Sequence, residues 1–314
     1  MNLGHWESYY KSGALVSCPT NPEPCYTMEV RDAWSGFFAE LQDGDRILDL
    51  GTGNGPVALI AKETAAQQSR RFVIHGVDLA RIDPQQFVPD GDKLLAGIDF
   101  HAGVSTESLP FEDASFDAIS GQYIVEYTDI GRTLGECVRV LRPGGRCRFI
   151  LHHLNSIIVT NAVESLRQAD LVLHETKTLR KFHRYCERAH AVAPRADTAR
   201  KQLYEAGESL EQAARTSLNP LLLRFVIDSV SALLKNRSKL SRGQMLQQTT
   251  RLEKELKYWI ARLQDLVAAA LSETELQSAI DDAKRLGFRD VDSELQWQGG
   301  DNLVGWRLTL SGPT

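Results

Sequence analysis

The sequence predicts a doubly wound α/β fold, and three observations carry that prediction. Apolar runs near residues 46–50, 72–77, 97–101, 116–121 and 146–152 alternate with helical or mixed segments, the rhythm of a parallel sheet with crossover connections. The first run passes directly into Gly51-Thr52-Gly53-Asn54-Gly55, a turn whose glycines accept positive φ and leave no Cβ in the way of a bound molecule. The last thirty residues break the rhythm: 288–297 and 303–310 alternate around Gln298-Gly299-Gly300-Asp301-Asn302 and read as an antiparallel pair, which brings the sheet to seven strands.

Each element follows in order. Residues 1–26 combine His5, Trp6, Tyr9 and Tyr10 with a Pro-rich stretch between Cys18 and Cys25, and precede a helix from about Met28 to Leu41. The glycine turn opens a helix at Pro56, whose first amide groups can face a carboxylate or phosphate. The second run, Phe72 to Asp78, ends in an acid where an α/β nucleoside site needs a carboxylate for ribose hydroxyls. Residues 155–271 hold few strand signals and far more chain than one crossover requires, which predicts an inserted all-helical subdomain. Within it, Leu252, Leu256, Trp259, Ile260, Leu263, Leu266, Val267 and Leu271 recur at steps of three and four along one amphipathic helix. Leu221 to Leu234 form another apolar stretch, with Pro220 expected in its first turn. Ser272 with Glu275 matches a capping box and starts a helix that returns to the core. The expected organisation is therefore a lid segment at 1–26, a nucleoside-binding core at 27–154, the helical insertion at 155–271 and core completion at 272–314.

The ligand is narrowed by spacing. A dinucleotide fingerprint places its third glycine three residues after the second, and that position is Pro56. An acid, Asp49, followed by G-x-G-x-G resembles motif I of the class I S-adenosylmethionine (SAM) dependent methyltransferases. Leu109-Pro110-Phe111-Glu112-Asp113-Ala114-Ser115-Phe116-Asp117 is similar to the segment leading into the fourth strand of that family, and Val140-Leu141-Arg142-Pro143-Gly144-Gly145 to the turn into its fifth. Together the resemblance covers residues 45–153.

The resemblance implies the strand order 3-2-1-4-5-7-6, with the last strand antiparallel, and SAM as cofactor with S-adenosylhomocysteine as product. It places Gly51, Gly53 and Gly55 along the methionine end of SAM, and has Asp49 orient the turn or meet the amino group through water. Asp78 takes the ribose hydroxyls, and Leu79 lies against the adenine. Gln122, closing the fourth strand, joins the donor-binding set. The chain departs from the pattern at the adenine edge, where an acid and a small residue are replaced by Ser105-Thr106, and after the fourth strand, where a frequent histidine is replaced by Tyr127.

Methyl transfer from a sulfonium is an in-line displacement that needs a held donor, an aligned nucleophile and a proton acceptor. No metal is expected, and no close cysteine pair supports a zinc or metalloid site among the five cysteines. His152 and His153, at the end of the fifth strand, are the candidate bases. Tyr9 and Tyr10 belong to the segment that closes over the donor in small-molecule relatives, where hydroxyls meet the sulfonium or the carboxylate and rings exclude water.

Charge is divided unevenly. Residues 155–271 carry 19 Lys and Arg against 12 Asp and Glu, a balance of +7, while the whole chain is at −5. Lys177, Arg180, Lys181, Arg184 and Arg188 form the densest cluster, with Lys177, Lys181, Arg184 and Arg188 on roughly one helical face. A solvated surface, an anionic substrate, an anionic membrane surface and a nucleic-acid backbone all stay open for it. The sequence contains no transmembrane run and no signal peptide, and the scattered cysteines suit reduced thiols, so a cytoplasmic location is expected. The preferred reading is methyl transfer to an oxygen or nitrogen of a small or medium-sized acceptor selected by the helical insertion. Two alternatives stand beside it: a macromolecular methyltransferase docking RNA, protein or membrane lipid through the basic insertion, and a SAM-binding protein without catalysis whose helices pair in a homodimer.

Overall fold

The computed structural model describes residues 3–16, 26–188 and 193–313, and the segment with Cys18 and Cys25 lies outside them. In chain order the elements are α1 (Gly4–Tyr10), α2 (Met28–Ala39), β1 (Arg46–Leu50), α3 (Pro56–Gln67), β2 (Val73–Asp78), the single turns α4 (Pro84–Phe87) and α5 (Gly91–Leu94), β3 (Ile98–Ala102) and β4 (Phe116–Gln122). A 3-10 turn at Val125–Tyr127 leads to α6 (Ile130–Val140) and β5 (Leu141–Leu151). Then come α7 (Ile157–Asp170), a π turn (Leu171–Glu175), α8 (Thr178–Arg188), α9 (Ala193–Thr216), α10 (Leu221–Lys235), α11 (Arg242–Ala269), α12 (Glu273–Arg285), β6 (Arg289–Gln298) and β7 (Asn302–Ser311).

The seven strands form one sheet in the order β3-β2-β1-β4-β5-β7-β6, the order expected from the sequence. Strands β1 to β5 pair in parallel, and β7 runs antiparallel to both β5 and β6. Ile47, Leu48, Leu50, Ile119, Phe149 and Leu308 are buried along the sheet, because strands covered on both faces carry apolar residues at nearly every position. Strand β5 begins at Leu141, earlier than expected. Leu141 pairs with Phe116 and the register then skips to Arg146 opposite Ala118, so the Pro143-Gly144-Gly145 stretch is accommodated as an irregularity inside the strand.

Packing divides the chain into two compact units. One comprises residues 1–160 and 265–314, the other 161–264, so the boundaries fall inside α7 and α11. In the helical unit, Phe182, Leu210, Leu222, Val226 and Leu256 form a buried core of their own. The expected 252–271 stripe is modified at both ends. Helix α11 starts ten residues earlier, at Arg242, and Leu271 leaves it to bridge to His153, with Leu271 N–H donating to His152 O (2.9 Å) and Leu154 N–H to Leu271 O (3.0 Å). Pro220 stands just before α10 rather than inside it. Ser272 and Glu275 form the reciprocal capping box. No helix among the described residues is long and apolar enough to cross a membrane.

Candidate functional site

The register of the sheet assembles the site. Leu50 lies level with Val77 on one side and Gly121 on the other, so the glycine turn after β1, Asp78 at the end of β2 and Gln122 at the end of β4 meet at one edge. This carboxyl edge is where open α/β sheets bind ligands.

Gly51 and Gly53 take φ of +57° and +51°. Both are also crowded. A Cβ on Gly51 would stand 2.4 Å from the Ile124 side chain, and one on Gly53 would stand 2.7 Å from the Tyr10 ring. The expected close approach to main chain is therefore made here by the chain's own side chains. Asn54 holds that arrangement, its Nδ2 donating to Tyr10 O (3.0 Å) and Ala14 O (2.7 Å) while its Oδ1 is enclosed without a partner. A cavity of about 20 Å³ remains beside the turn, touched by Tyr10, Asp49 and Gln122.

Three buried carboxyl groups face this end of the sheet. Asp78 accepts from Gly53 N–H (2.9 Å) and Ala80 N–H (2.8 Å); burial raises its pKa to about 6, with these bonds and the Tyr10 hydroxyl pulling the other way. Asp49 accepts from the Ser120 hydroxyl (2.7 Å), and burial carries it to about 7. Glu126, in the 3-10 turn after β4, accepts the His152 N–H (2.7 Å), and burial lifts it to about 8; its second oxygen is enclosed without a partner. Glu126 was not among the residues singled out from sequence, although it stands next to Tyr127 in the segment that was.

The remaining sequence candidates fall in different places. Leu79 is exposed beside Asp78, as a platform for a flat base would be. The Thr106 hydroxyl is buried and lies 3.1 Å from that of Thr133 on α6, so it ties its loop to that helix, while Ser105 Oγ accepts from Glu107 N–H (3.2 Å) within the loop. Gln122 Oε1 accepts from Trp34 Nε1 (2.5 Å), leaving its Nε2 enclosed and unpartnered. The Tyr9 hydroxyl donates to Val16 O (2.7 Å), and the Tyr10 ring lies against Gly53 of the turn.

The two histidines diverge because successive strand residues face opposite ways. His152 stacks on Tyr123 (4.0 Å between ring centres) and meets Tyr127 edge-on (5.9 Å), with Trp6 of α1 in turn edge-on to Tyr127 (6.2 Å). Both its ring nitrogens are buried without partners, and burial lowers its pKa to about 3. His153 packs on Trp306 (4.3 Å), and its Nδ1 accepts from Asn155 N–H (2.8 Å). Helix α1 is fixed by Asp265, which takes bonds from His5 Nε2 (2.7 Å) and Trp6 Nε1 (3.0 Å). Lys177 lies outside α8, so within that helix the basic face runs from Lys181 through Arg184 to Arg188. Cys186 is buried in the helical unit against Thr249 (3.9 Å).

The carboxyl triplet predicts a pH dependence of stability. Each folded-state pKa lies above its ordinary value, so the folded protein holds these protons more tightly than the unfolded chain. Their contribution is complete below about pH 4 and is lost as pH rises through about 6 to 8. Melting temperature is expected to fall across that window, and Asp49→Asn to flatten the fall. An equal fall in the variant would remove Asp49 from the account.

Fold and edge together define a doubly wound α/β domain with a G-x-G-x-G turn at the carboxyl edge of its sheet. Residues 48–149 match the methyltransferase domain family. Among curated proteins, the ubiquinone/menaquinone biosynthesis C-methyltransferase of Xanthomonas campestris is 30% identical over 128 residues, 40% of this chain and 50% of that protein. Its counterpart from Xylella fastidiosa is 28% identical over 133 residues, 40% and 50% of the two chains. A solved SAM-dependent methyltransferase from Mesorhizobium loti is 25% identical, covering 40% of this chain and 55% of that one with a TM-score of 0.31. The chain spans about half the length of the curated relatives it matches. Residues 48–149 are thus a methyltransferase domain of the SAM-dependent kind.

Proposed function

We propose that the chain transfers the methyl group of SAM to an oxygen or nitrogen of a small or medium-sized acceptor. The single observation that carries this reading is the meeting of the glycine turn, Asp78 and Asp49 at the carboxyl edge of the sheet, inside the stretch that matches the family. The residues suit the donor. Asp78 offers two carboxylate oxygens to a pair of ribose hydroxyls, and Leu79 offers an apolar surface to the adenine. The enclosed, unpartnered atoms Asn54 Oδ1 and Gln122 Nε2 are an acceptor and a donor that the α-ammonium and carboxylate of the methionine moiety would satisfy. A nucleoside does not fit in about 20 Å³, so binding requires Tyr10 to swing off Gly53.

In the mechanism, SAM supplies an electrophilic methyl group and leaves as S-adenosylhomocysteine. The protein's part is to hold the donor in line with the acceptor, exclude water and take the acceptor's proton. Glu126 is suited to the last task, since a carboxyl near pH 8 is half ionised at a mildly alkaline working pH. His152 in its present surroundings is too weak a base and serves as a wall. The helical unit, which lies outside the matched segment, is the element that selects the acceptor.

A second reading has carbon as the nucleophile, favoured by the relatives that are named C-methyltransferases. One experiment separates the readings: incubation with methyl-labelled SAM and pooled small metabolites or RNA, with release of S-adenosylhomocysteine as the readout and mass spectrometry of the labelled product. Label on a heteroatom of a small molecule is expected. Label on a ring carbon or on RNA would replace the first reading, and binding without any release would make the chain a SAM-binding protein.

A further inference from the structure

The helical unit carries a second constellation, independent of the glycine turn and of the methyl-transfer reading. Between α7 and α8 the chain makes a π turn, in which the Thr176 N–H (2.9 Å) and its hydroxyl (2.8 Å) both donate to the Leu171 carbonyl. Lys177 then takes a φ of +53°, a region that long L side chains rarely enter. The hydroxyls of Thr176 and Thr178 close over it at 2.7 Å. A corner between helices needs none of this, because glycine or asparagine at position 177 would turn the chain without strain. Single π turns and strained non-glycine residues gather where a site is being shaped.

Here they border a cavity of about 420 Å³, walled by Val172, Leu173 and Leu179 and edged by Lys177, Arg180 and His183. The one acid on its lining, Glu253, is held by Lys257 at 2.8 Å. Elsewhere in the unit cations reach acids, as Arg224 does on Glu211 and Arg251 on Glu255, each at 2.8 Å. Lys177 and Arg180 form no ion pair among the described residues, and neither do Lys181, Arg184 and Arg188 along the same helix. A row of unmatched cations repels itself, and a cavity with an apolar wall beside it offers an anion both charge and a place for an attached hydrocarbon.

We propose that this cavity binds an anionic amphiphile, its phosphate or carboxylate held by Lys177 and Arg180 and its hydrocarbon laid against Val172, Leu173 and Leu179. The test is calorimetric titration of the full chain with dodecyl phosphate below its micelle concentration, beside inorganic phosphate and dodecanol as the two halves. Saturable binding of one molecule per chain is expected, at least about tenfold tighter than either half. Lys177→Asn with Arg180→Glu is expected to weaken it at least about tenfold without lowering the melting temperature, because both side chains are exposed and asparagine suits the positive φ at position 177. Lys201→Glu, on α9 and outside the cavity lining, is expected to leave it unchanged. Three results would overturn the proposal: unchanged affinity in the double variant, equal affinity for inorganic phosphate, or binding confined to anionic vesicles or RNA.

Discussion

Asp78→Ala is expected to weaken binding of SAM and of S-adenosylhomocysteine at least about tenfold, a loss of about 1.4 kcal/mol or more. In the proposed site this carboxylate accepts from both ribose hydroxyls, and it already bonds the Gly53 and Ala80 amides. Alanine removes both functions at once. Asp78→Asn keeps an oxygen for one amide and discards the charge, so it separates turn geometry from ribose recognition. Calorimetry on both variants decides the matter: full affinity in Asp78→Ala would take Asp78 out of the donor site. Weakening in the alanine variant alone would assign Asp78 to holding the turn.

The second large effect is expected at Glu126. Replacing it with glutamine keeps an oxygen to accept the His152 N–H and keeps the side chain's size, so the fold and donor affinity should change little. Turnover should fall by about a hundredfold or more, the range in which a missing general base is felt. The pH profile supplies the reading that a merely structural role would not move. In the parent protein kcat/KM should rise towards a plateau above about pH 8, and in Glu126→Gln that rise should vanish. An unchanged kcat would leave Glu126 as a clamp between the 3-10 turn and the end of β5.

The sheet was legible because each of its strands announces itself locally. Apolar runs, an acid or glycine at their ends and the alternating terminal pair are all properties of a few adjacent residues, and the resemblance supplied their order. Asp49, Asp78 and the glycines stand out in the sequence for the same reason. Glu126 was not, because its burial depends on groups far along the chain: the His152 N–H it accepts lies beyond a helix and the whole of β5. Periodicity likewise could not tell His152 from His153, since it marks opposite faces without saying which face meets Tyr123 and which meets Trp306. The π turn is equally hidden in the sequence. Leu171-Val172-Leu173-His174-Glu175 has ordinary helical composition, and only the bond from Thr176 back five residues to Leu171 reveals the wider turn.

The bridge between Leu271 and the end of β5 bears on how the sheet tolerates so long a helical segment between β5 and α12. Leu154 and Leu271 mark the departure and the return of the intervening segment, and two backbone bonds with the Trp306 indole (3.3 Å) fasten them side by side. To the sheet, everything between is a loop whose ends are already closed. Closure entropy grows only with the logarithm of loop length, about 0.6 kcal/mol per doubling, so lengthening or exchanging the segment scarcely taxes the folding of the core. The seam at Leu154 and Leu271 is thus the place where the intervening helices can be lengthened or exchanged at least cost to the sheet.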